Sequence, residues 1–370
     1  MEKPIRILHI LQRMEAGGTQ ALLMNLYRNI DREKVQFDFL VHYKEKQFYD
    51  DEIKALGGEI YYFSVREDFK VLKYVKELKK FFREHKEYRV VHGHMFTLGW
   101  IYLYVAKKSG VKVRIAHSHA NQSERNWKVV IKNIIKRLNE RNATDLFACS
   151  KEAGEYLFKS KDFQVLNNAI DAKKFQAENE VRQRIRRELG VEDQFVIGHV
   201  GRFQPAKNHE FLIDIFEEIK KERPDAVLLL VGTGDLEDKV KEKVKKLGLA
   251  DAVKFLGNRR NMNEIYQAMD VFLLPSHFEG LGIVAIEAQA AGIPCLCSDT
   301  TPTLVEISPL MKRISLEEGA KRWADLALEQ GENEYAHQNM YDYVVCADFD
   351  ICSQAKRMED FYLKKYMEES

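Results

Sequence analysis

The chain has 370 residues, of which 45% are hydrophobic and 31% charged, and its formal net charge is +1. This composition excludes an intrinsically disordered chain and suffices for two domains that each bury a core of their own. Residues 1–180 contain 33 Lys and Arg against 24 Asp and Glu, whereas residues 181–370 contain 25 Lys and Arg against 33 Asp and Glu. A basic surface is therefore expected on the first half alone, and this argues against general nucleic-acid binding.

Short runs rich in Val, Ile, Leu and Phe alternate with longer amphipathic stretches along the first half of the chain. This alternation predicts an α/β domain with a parallel sheet. The predicted strands are Ile5–Leu11, Gln36–Val41, Glu59–Phe63, Arg89–His92, Lys112–His117, Thr144–Cys149 and Gln164–Asn167. The predicted helices between them include Thr19–Asn29, Phe69–Lys86 and Trp127–Glu140.

The second half repeats this alternation, with a turn containing Gly, Asn or Pro after each strand. The predicted strands are Phe195–Val200, Ala226–Val231, Val253–Leu256, Val271–Leu274 and Cys295–Ser298. The predicted fold class is therefore α/β, with one doubly wound Rossmann-like sheet in each half. A last helix is predicted over Phe349–Tyr366, whose apolar side contains Ile351, Ala355, Met358 and Phe361 or Tyr362.

The most informative segment is 276–287, which joins the predicted strand Val271–Leu274 to a helix expected to end near Ala291. Its glycine-bearing turn leads into a helix N-terminus, where free backbone N–H groups and the positive helix end favour an anion. Glu279 and Glu287 stand eight residues apart beside that turn. Amides that bind anions, next to carboxylates that accept hydrogen bonds from hydroxyls, suit a ligand that is both a diphosphate and a sugar.

Two cations follow an earlier strand of the same half. Gly201 and Arg202 come directly after Phe195–Val200, and Lys207 lies at the start of the next predicted helix. Ligands of open α/β sheets bind beyond the carboxyl ends of the strands, so both cations should reach the same crevice. Arginine offers a fork to phosphate oxygens and lysine a compact charge, and together they can neutralise a diphosphate.

Two weaker candidates lie on other loops. Gly17 and Gly18 follow the first strand, where they allow a ligand to approach the backbone but also suit an ordinary turn capped by Thr19. The Gly-x-Gly-x-x-Gly spacing of a nicotinamide or flavin site is missing there. Arg259 follows Val253–Leu256, at a strand end where a nucleotide base could lie against backbone amides.

These motifs together resemble family 4 of the retaining glycosyltransferases, which have the two-domain GT-B fold. The resemblance is carried by Gly17-Gly18-Thr19, Gly201-Arg202 with Lys207, Pro275-Ser276, Glu279-Gly280-Leu281-Gly282, Glu287-Ala288 and Gly292-Ile293-Pro294. It implies an acceptor-binding Rossmann-like domain at 1–175, a nucleotide-sugar-binding Rossmann-like domain at 176–345 across a cleft, and a C-terminal helix at 346–370 that returns to the N-terminal domain. The sequence Asn168-Ala169-Ile170-Asp171 departs from the family's usual Asn-Gly-Ile/Val-Asp near the domain link.

The resemblance also implies roles for single residues. Arg202 and Lys207 would hold the diphosphate, Glu279 or the amides after it would meet the hydroxyls of the donor sugar, and Glu287 would bind the donor ribose. The residues assigned to catalysis are His119, Glu279, Arg202 and Lys207. The residues assigned to donor binding are Gly17, Gly18, Gly201, Arg202, Lys207, Arg259, Glu279, Gly280, Leu281, Gly282 and Glu287.

Histidines at two strand ends complete the candidate site. The family has a histidine that faces the donor sugar after the fifth strand, and both His117 and His119 fit because residues two apart point to one face of a strand. His119 is favoured, and a hydrogen-bonded histidine that merely supports the loop is the alternative. His94 and His117 are candidates on the acceptor side. No bound metal or cofactor is expected, since the family needs none and no Cys or carboxylate cluster joins these histidines at ligand spacing.

The predicted function is a retaining hexosyltransferase that moves a sugar from a nucleotide-sugar donor to a glycan or lipid-linked acceptor in capsular polysaccharide or exopolysaccharide biosynthesis. UDP is favoured as the nucleotide from its frequency in the family. One alternative is a sugar-nucleotide epimerase of the same fold. A non-catalytic sugar-nucleotide-binding protein is the other.

The basic half contains two amphipathic segments, 69–89 and 127–141, that are rich in Lys and Arg. Their lysines either face water while the apolar sides pack on the sheet, or dock on an anionic membrane surface. No apolar run is long enough to span a bilayer, and the five cysteines include no Cys-x-x-Cys pair. A cytoplasmic protein is expected, and the second of these two alternatives would place it peripherally on the inner face of the plasma membrane.

Overall fold

The structure is a computed structural model that describes residues 3–15, 17–63, 71–119, 129–158 and 162–368. The chain divides into two compact units. Met1–Ala169 and Asp350–Ser370 form the first, which we call the N-terminal unit, and Ile170–Phe349 form the second, which we call the C-terminal unit.

The N-terminal unit is built on a parallel sheet. Its strands are β1 Ile5–Ile10, β2 Val35–Val41, β3 Ile60–Tyr62, β4 Val90–Gly93, β5 Val113–Ser118, β6 Asp145–Ala148 and β7 Gln164–Val165. Within the described residues their order is β3-β2-β1-β4-β5-β6-β7, the doubly wound order that the alternating pattern predicts. Every strand predicted for this half is confirmed, with its ends displaced by two residues at most.

The helices of this unit that precede the C-terminal unit in sequence are α1 Gly18–Asn29, α2 Asp50–Ala55, α3 Val71–Glu84, α4 Phe96–Lys108, α5 Val129–Asn142 and α6 Lys151–Leu157. The predicted starts of two of them, Phe69 and Trp127, lie outside the described residues. Helix α1 begins one residue earlier than predicted, and its N-cap is Gly17, so Thr19 does not cap it.

Helices cover both faces of this sheet, which explains why its strands are apolar on both sides. Strand β2 shows the alternation clearly, because Phe37 and Phe39 pack on the face covered by α1 whereas Leu40 packs on the face covered by α3 and α4. All three side chains are fully buried.

The C-terminal unit contains a second parallel sheet. Its strands are β8 Val196–Val200, β9 Val227–Val231, β10 Val253–Gly257, β11 Val271–Leu274, β12 Cys295–Ser298 and β13 Met311–Ile314. The order among described residues is β10-β9-β8-β11-β12-β13, so the predicted pair of Rossmann-like sheets is confirmed. The sequence pattern does not predict β13, because Lys312 and Arg313 interrupt its apolar run and it pairs with β12 at the edge of the sheet.

The helices of this unit are α7 Asn179–Leu189, α8 His209–Glu222, α9 Glu237–Lys246, α10 Met262–Gln267, α11 Ile283–Ala290, α12 Gly319–Gly331 and α13 Tyr341–Cys346. Helix α11 ends one residue before the predicted position and is followed by Gly292, whose φ is +75°. A Cβ there would lie 2.6 Å from the carbonyl oxygen of Gln338, so both the left-handed backbone and the close approach require glycine.

A buried ionic network fastens α7 to the sheet. Asp270, directly before β11, accepts a hydrogen bond from the backbone N–H of Val196 at 2.7 Å. Its carboxylate also pairs with Arg182 and lies 3.2 Å from Nη1 of Arg186. Because only 15% of the Asp270 side chain is exposed, these partners replace the water that the carboxylate loses on folding.

The last helix, α14 Ile351–Glu368, packs on the N-terminal unit against α1, β1 and β2. Its buried positions include Ile351, Ala355, Met358 and Tyr362, the face predicted from the spacing of apolar residues. Neither α14 nor any other helix in the described part of the chain is long and apolar enough to cross a membrane.

Candidate functional site

Each sheet has a point at which the strand order reverses. The reversal lies between β8 and β11 in the C-terminal unit and between β1 and β4 in the N-terminal unit. Loops that leave the carboxyl ends of two such strands diverge to opposite faces and open a crevice where ligands bind. Several of the predicted site residues follow these strands.

In the C-terminal unit the loop after β8 contains Gly201, Arg202 and Lys207. Arg202 is exposed, whereas Lys207 is half-buried in a single 3-10 turn immediately before α8. This loop approaches the loop after β9 so closely that a Cβ on Gly232 would lie 2.2 Å from the carbonyl oxygen of Gly201. The absence of a side chain at Gly232 therefore allows the backbones of these two loops to pack together.

The side chain of Lys207 meets that of Glu279 directly. Nζ of Lys207 lies 2.6 Å and 2.9 Å from the two carboxylate oxygens, and the hydroxyl of Ser276 donates to Oε1 of the same carboxylate at 2.6 Å. The Glu279 side chain is only 7% exposed. A buried carboxylate needs such partners, and charge-assisted bonds of this kind are among the strongest in proteins.

The N-terminus of α11 lies on the same segment of chain. Its N-cap is Gly282, with a φ of +85°, and glycine has no side chain that could bond to the N–H groups of the first turn. The backbone N–H of Ala285 donates to the carbonyl oxygen of Gly282 at 2.9 Å. The first N–H groups of a helix generally lack carbonyl partners within it, and the positive end of the helix dipole adds to them. The backbone N–H of His277 donates to the carbonyl oxygen of Ala206 at 2.8 Å, which fastens this segment to the turn that holds Lys207.

Glu287 lies inside α11, beyond its first turn. The hydroxyl of Tyr266 on α10 donates to Oε2 of Glu287 at 2.8 Å. Burial raises the pKa of Glu287 to about 7, while the hydrogen bond from Tyr266 opposes this shift. The carboxyl group is therefore about half ionised at neutral pH.

Arg259 occupies a different part of the unit. It is exposed and follows β10, which is the edge strand two places away from β8. Its neighbour Asn258 donates to the hydroxyl of Thr233 at 3.2 Å, and this bond joins the loops after β9 and β10. Arg259 therefore lies beyond the carboxyl end of an edge strand, away from the point at which the strand order reverses.

In the N-terminal unit, Gly17 and Gly18 form the start of α1, after β1. A Cβ on Gly18 would meet only Asn168 Nδ2, at 3.7 Å, whereas one on Gly17 would lie 2.7 Å from Oε1 of Gln20. As with α11, no side chain caps the helix. There is room beside the backbone at Gly18, where a Cβ would make only an ordinary van der Waals contact.

A cluster of five histidines, which we call the histidine ladder, spans the ends of β1, β4 and β5. His94 is its centre: Nε2 lies 3.0 Å from Nδ1 of His9, and Nδ1 lies 2.9 Å from Nε2 of His119. Next to it, Nε2 of His92 lies 3.1 Å from Nδ1 of His117, whose ring stacks on that of His119 at 4.1 Å between centroids. The other nitrogen of His92 contacts the hydroxyl of Tyr362 at 2.7 Å.

The imidazoles of the ladder are neutral at physiological pH. Burial lowers the pKa of His9 and of His119 to about 3. It lowers the pKa of His92, His94 and His117 well below the ordinary value, and repulsion between neighbouring imidazolium charges adds to the effect. Neutral imidazole offers one donor and one acceptor, so the ladder suits hydroxyl groups and does not act as a cation for phosphate.

The structure thus brings Lys207, Glu279 and the start of α11 together in one unit, and gathers His94, His117 and His119 in the other. Sequence reasoning missed the partners of these groups. Ser276 could have been suspected, because it stands three residues before Glu279 in the same turn. No signal in the sequence marks Tyr266, since it lies 21 residues from Glu287 on another helix.

Two family models match the chain in succession. The model described as Glycosyltransferase Family 4 matches residues 16–174, and the model described as Glycosyl transferases group 1 matches residues 181–343. The two matched ranges correspond to the N-terminal and C-terminal units in sequence order.

Curated relatives match over most of their length. EpsF of Bacillus subtilis, whose name describes it as a glycosyltransferase, is 36% identical over 331 residues, which is 86% of each chain. The capsular polysaccharide biosynthesis glycosyltransferase CapH of Staphylococcus aureus is 26% identical and covers 98% of this chain and 99% of its own. An Escherichia coli enzyme named UDP-Gal:alpha-D-GlcNAc-diphosphoundecaprenol alpha-1,3-galactosyltransferase is 26% identical, and the match covers 80% of this chain and 79% of the enzyme.

A solved structure also superposes on the chain. HepE of Anabaena, in complex with UDP, has a TM-score of 0.80 at 19% identity and covers 97% of this chain and all of its own. At this level of identity the likeness concerns the fold, and it confirms the predicted GT-B class.

Proposed function

The chain belongs to family 4 of the glycosyltransferases, and from this premise we propose that it is a retaining hexosyltransferase of surface polysaccharide biosynthesis. The donor is a UDP-sugar, and the acceptor is a glycan or a lipid-linked glycan. The names of CapH and of the galactosyltransferase of Escherichia coli support this choice, as does the UDP complex of HepE.

The contact between Lys207 and Glu279 carries the proposal. Lys207 pairs with a buried carboxylate that stands three residues before the N-cap of α11, so a diphosphate and a hydroxyl can be held side by side. When the donor binds, its phosphate oxygens attract Nζ of Lys207, and Glu279 can then accept from a hydroxyl of the sugar. Before the donor arrives, the charge of Lys207 is neutralised by Glu279.

Transfer requires negative charge to develop on the departing diphosphate while the anomeric carbon gains cationic character. Lys207, exposed Arg202, and the amides of Leu281 and Gly282 would stabilise that charge in advance of the reaction. The acceptor hydroxyl attacks from the face that the diphosphate leaves, and its proton passes to the leaving phosphate oxygen. The new glycosidic bond then keeps the configuration of the donor, and no protein nucleophile is needed.

His119 is proposed as the residue that positions the donor sugar, with His94 and His117 on the acceptor side. Its imidazole is neutral and is oriented by His94, so it can exchange a hydrogen bond with a sugar hydroxyl without attracting the diphosphate. Glu287 would accept hydrogen bonds from the ribose. Neither role requires a metal ion.

Transfer assays test this proposal directly. Purified protein is incubated with UDP-hexoses and lipid-linked acceptors, and the product is expected only when both substrates are present, with the donor configuration retained by NMR. Arg202→Ala and Lys207→Ala should each lower kcat by about 10²-fold or more, as loss of one preorganised charge-stabilising group does elsewhere. Lys246→Ala, which removes an exposed lysine from α9, is the control and should retain full activity.

Other outcomes of the same assay decide against the proposal. Conversion of the donor without acceptor would identify an epimerase, and donor binding with neither transfer nor hydrolysis would identify a binding protein. Inversion of the anomeric centre would refute the retaining mechanism while leaving the family assignment intact.

We also propose that the N-terminal unit docks on an anionic membrane surface, where a lipid-linked acceptor would reside. Leu72 at the start of α3 is 87% exposed, and Lys73 and Lys76 follow it on the exposed side of the helix. Ile134 of α5 is 52% exposed and lies near exposed Arg137. Apolar side chains among cations are suited to anionic lipid, where each cation contributes about 1 kcal/mol.

Vesicle flotation tests the docking proposal. The protein should float with vesicles that contain phosphatidylglycerol and remain unbound with phosphatidylcholine alone. Leu72→Ser should weaken binding, whereas Leu304→Ser, a control at a 41% exposed leucine of the C-terminal unit, should not. Equal binding of both variants and the parent protein would refute the assignment of this surface.

A further inference from the structure

The histidine ladder contains three side chains that the proposed function places beside the sugar substrates, and their ring nitrogens also form a cluster that sugar transfer does not itself require. His94, His117 and His119 each offer one ring nitrogen, and these three nitrogens lie within 4.8 Å of one another. We propose that they form a binding site for a single divalent transition-metal ion of the zinc class. The site lies where the loops after β4 and β5 begin, next to the reversal point of the sheet.

The spacing of two of the nitrogens suits such an ion. Zinc binds imidazole nitrogen at about 2.0–2.1 Å with tetrahedral angles, which separates two ligand nitrogens by about 3.3 Å. Nδ1 of His94 and Nε2 of His119 are already 2.9 Å apart. An ion can therefore replace the hydrogen bond between these two rings after a shift of a few tenths of an ångström.

The surroundings of His117 favour it as the third ligand. His117 is 4% exposed, its Nδ1 contacts His92, and its Nε2 is buried without a hydrogen-bond partner among the described residues. A buried, unpaired ring nitrogen is costly, and coordination to an ion would remove that cost. Nε2 can take this role without giving up the existing bond to His92.

A second layer of residues would orient the ligands. His9 contacts the nitrogen of His94 that faces away from His119, and His92 links His117 to the hydroxyl of Tyr362. Metal-bound histidines generally use their second nitrogen in this way, which fixes the tautomer and the plane of the ring. The ladder thus supplies both the ligands and their supports.

A second triad, His9, His92 and His94, has similar spacing, but His9 and His92 are almost completely buried. His94 and His119 are partly exposed, so the triad that contains both can receive an ion from solvent and leave a fourth position for water. A set of imidazoles without carboxylates favours zinc, cobalt or nickel over magnesium or calcium.

Equilibrium dialysis of the untagged full chain against Zn²⁺, followed by metal analysis, tests the site without any sugar nucleotide. About one ion should be retained per chain by the parent protein and by His85→Ala, a control at a half-buried histidine near the end of α3. His119→Ala and His94→Ala should both lose this ion. Because no donor is present, the result is independent of whether transfer occurs.

Cobalt spectroscopy of His119→Cys identifies the ligand itself. Addition of Co²⁺ should produce a thiolate-to-cobalt charge-transfer band that the parent protein lacks, while circular dichroism shows an unchanged fold. No bound zinc in the parent protein, equal zinc retention by folded His119→Ala, or absence of the cobalt band would each overturn the proposal.

Discussion

The ionisation of Glu287 should couple donor binding to pH. Its carboxyl group has a pKa of about 7 because it is buried. If the ribose hydroxyls donate to the carboxylate, only the ionised form binds the donor fully, and the apparent Kd varies inversely with the ionised fraction of Glu287. With a pKa of about 7, the ionised fraction of Glu287 is about tenfold smaller at pH 6 than at pH 8, so donor binding should be about tenfold weaker at pH 6.

Isothermal titration calorimetry with an intact UDP-sugar measures this effect, because both of its phosphates are esterified and do not titrate in this range. At pH 7 binding should release about half a proton, detected as a dependence of the heat on the ionisation enthalpy of the buffer. Tyr266→Phe removes the hydrogen bond that opposes the shift, so the pKa of Glu287 should rise and the profile should move to higher pH.

Glu287→Gln is the decisive control for this prediction. The amide cannot ionise, so its binding should be weaker at pH 8 and nearly independent of pH between 6 and 8. If the parent protein and Glu287→Gln show the same pH profile, Glu287 does not titrate on donor binding and the placement of the ribose at this residue is wrong.

Three further perturbations follow from the described contacts. Lys207→Ala leaves the Glu279 carboxylate without its lysine, so the midpoint of urea unfolding should fall in addition to the loss of turnover. Adding Glu279→Gln to the same chain should restore part of the stability but not the activity. Asp270→Ala removes the carboxylate that pairs with Arg182 and Arg186, whose side chains are 19% and 10% exposed, and should destabilise the C-terminal unit by about 3–5 kcal/mol in urea denaturation. An unchanged urea midpoint would contradict the network. Gly232→Ala places a Cβ 2.2 Å from the carbonyl oxygen of Gly201 at a φ of +135°, so the thermal midpoint should fall by several degrees. Equal thermal midpoints of the variant and the parent protein would show that the loops after β8 and β9 separate freely.

Features that depend on neighbours in sequence could be predicted from the sequence. Each central strand is a short apolar run bounded by turn residues, and the 276–287 segment contains a strand end, a glycine turn and a helix start in one continuous stretch. The apolar face of α14 follows from its spacing alone. Where local signals conflict, as in β13 with its two central cations, pairing with a neighbouring strand decides the structure and the sequence pattern is insufficient.

Local sequence patterns are therefore enough to predict the alternation of strands and helices, the two Rossmann-like halves and the turn that begins α11. Which side chains meet depends on the tertiary fold. Lys207 and Glu279 are 72 residues apart, and the histidine ladder draws on three strands that are adjacent only because the sheet order places β4 between β1 and β5. Burial then sets the protonation of these groups, since the pKa of an imidazole or a carboxyl depends on the water and charges around it, which no stretch of sequence contains.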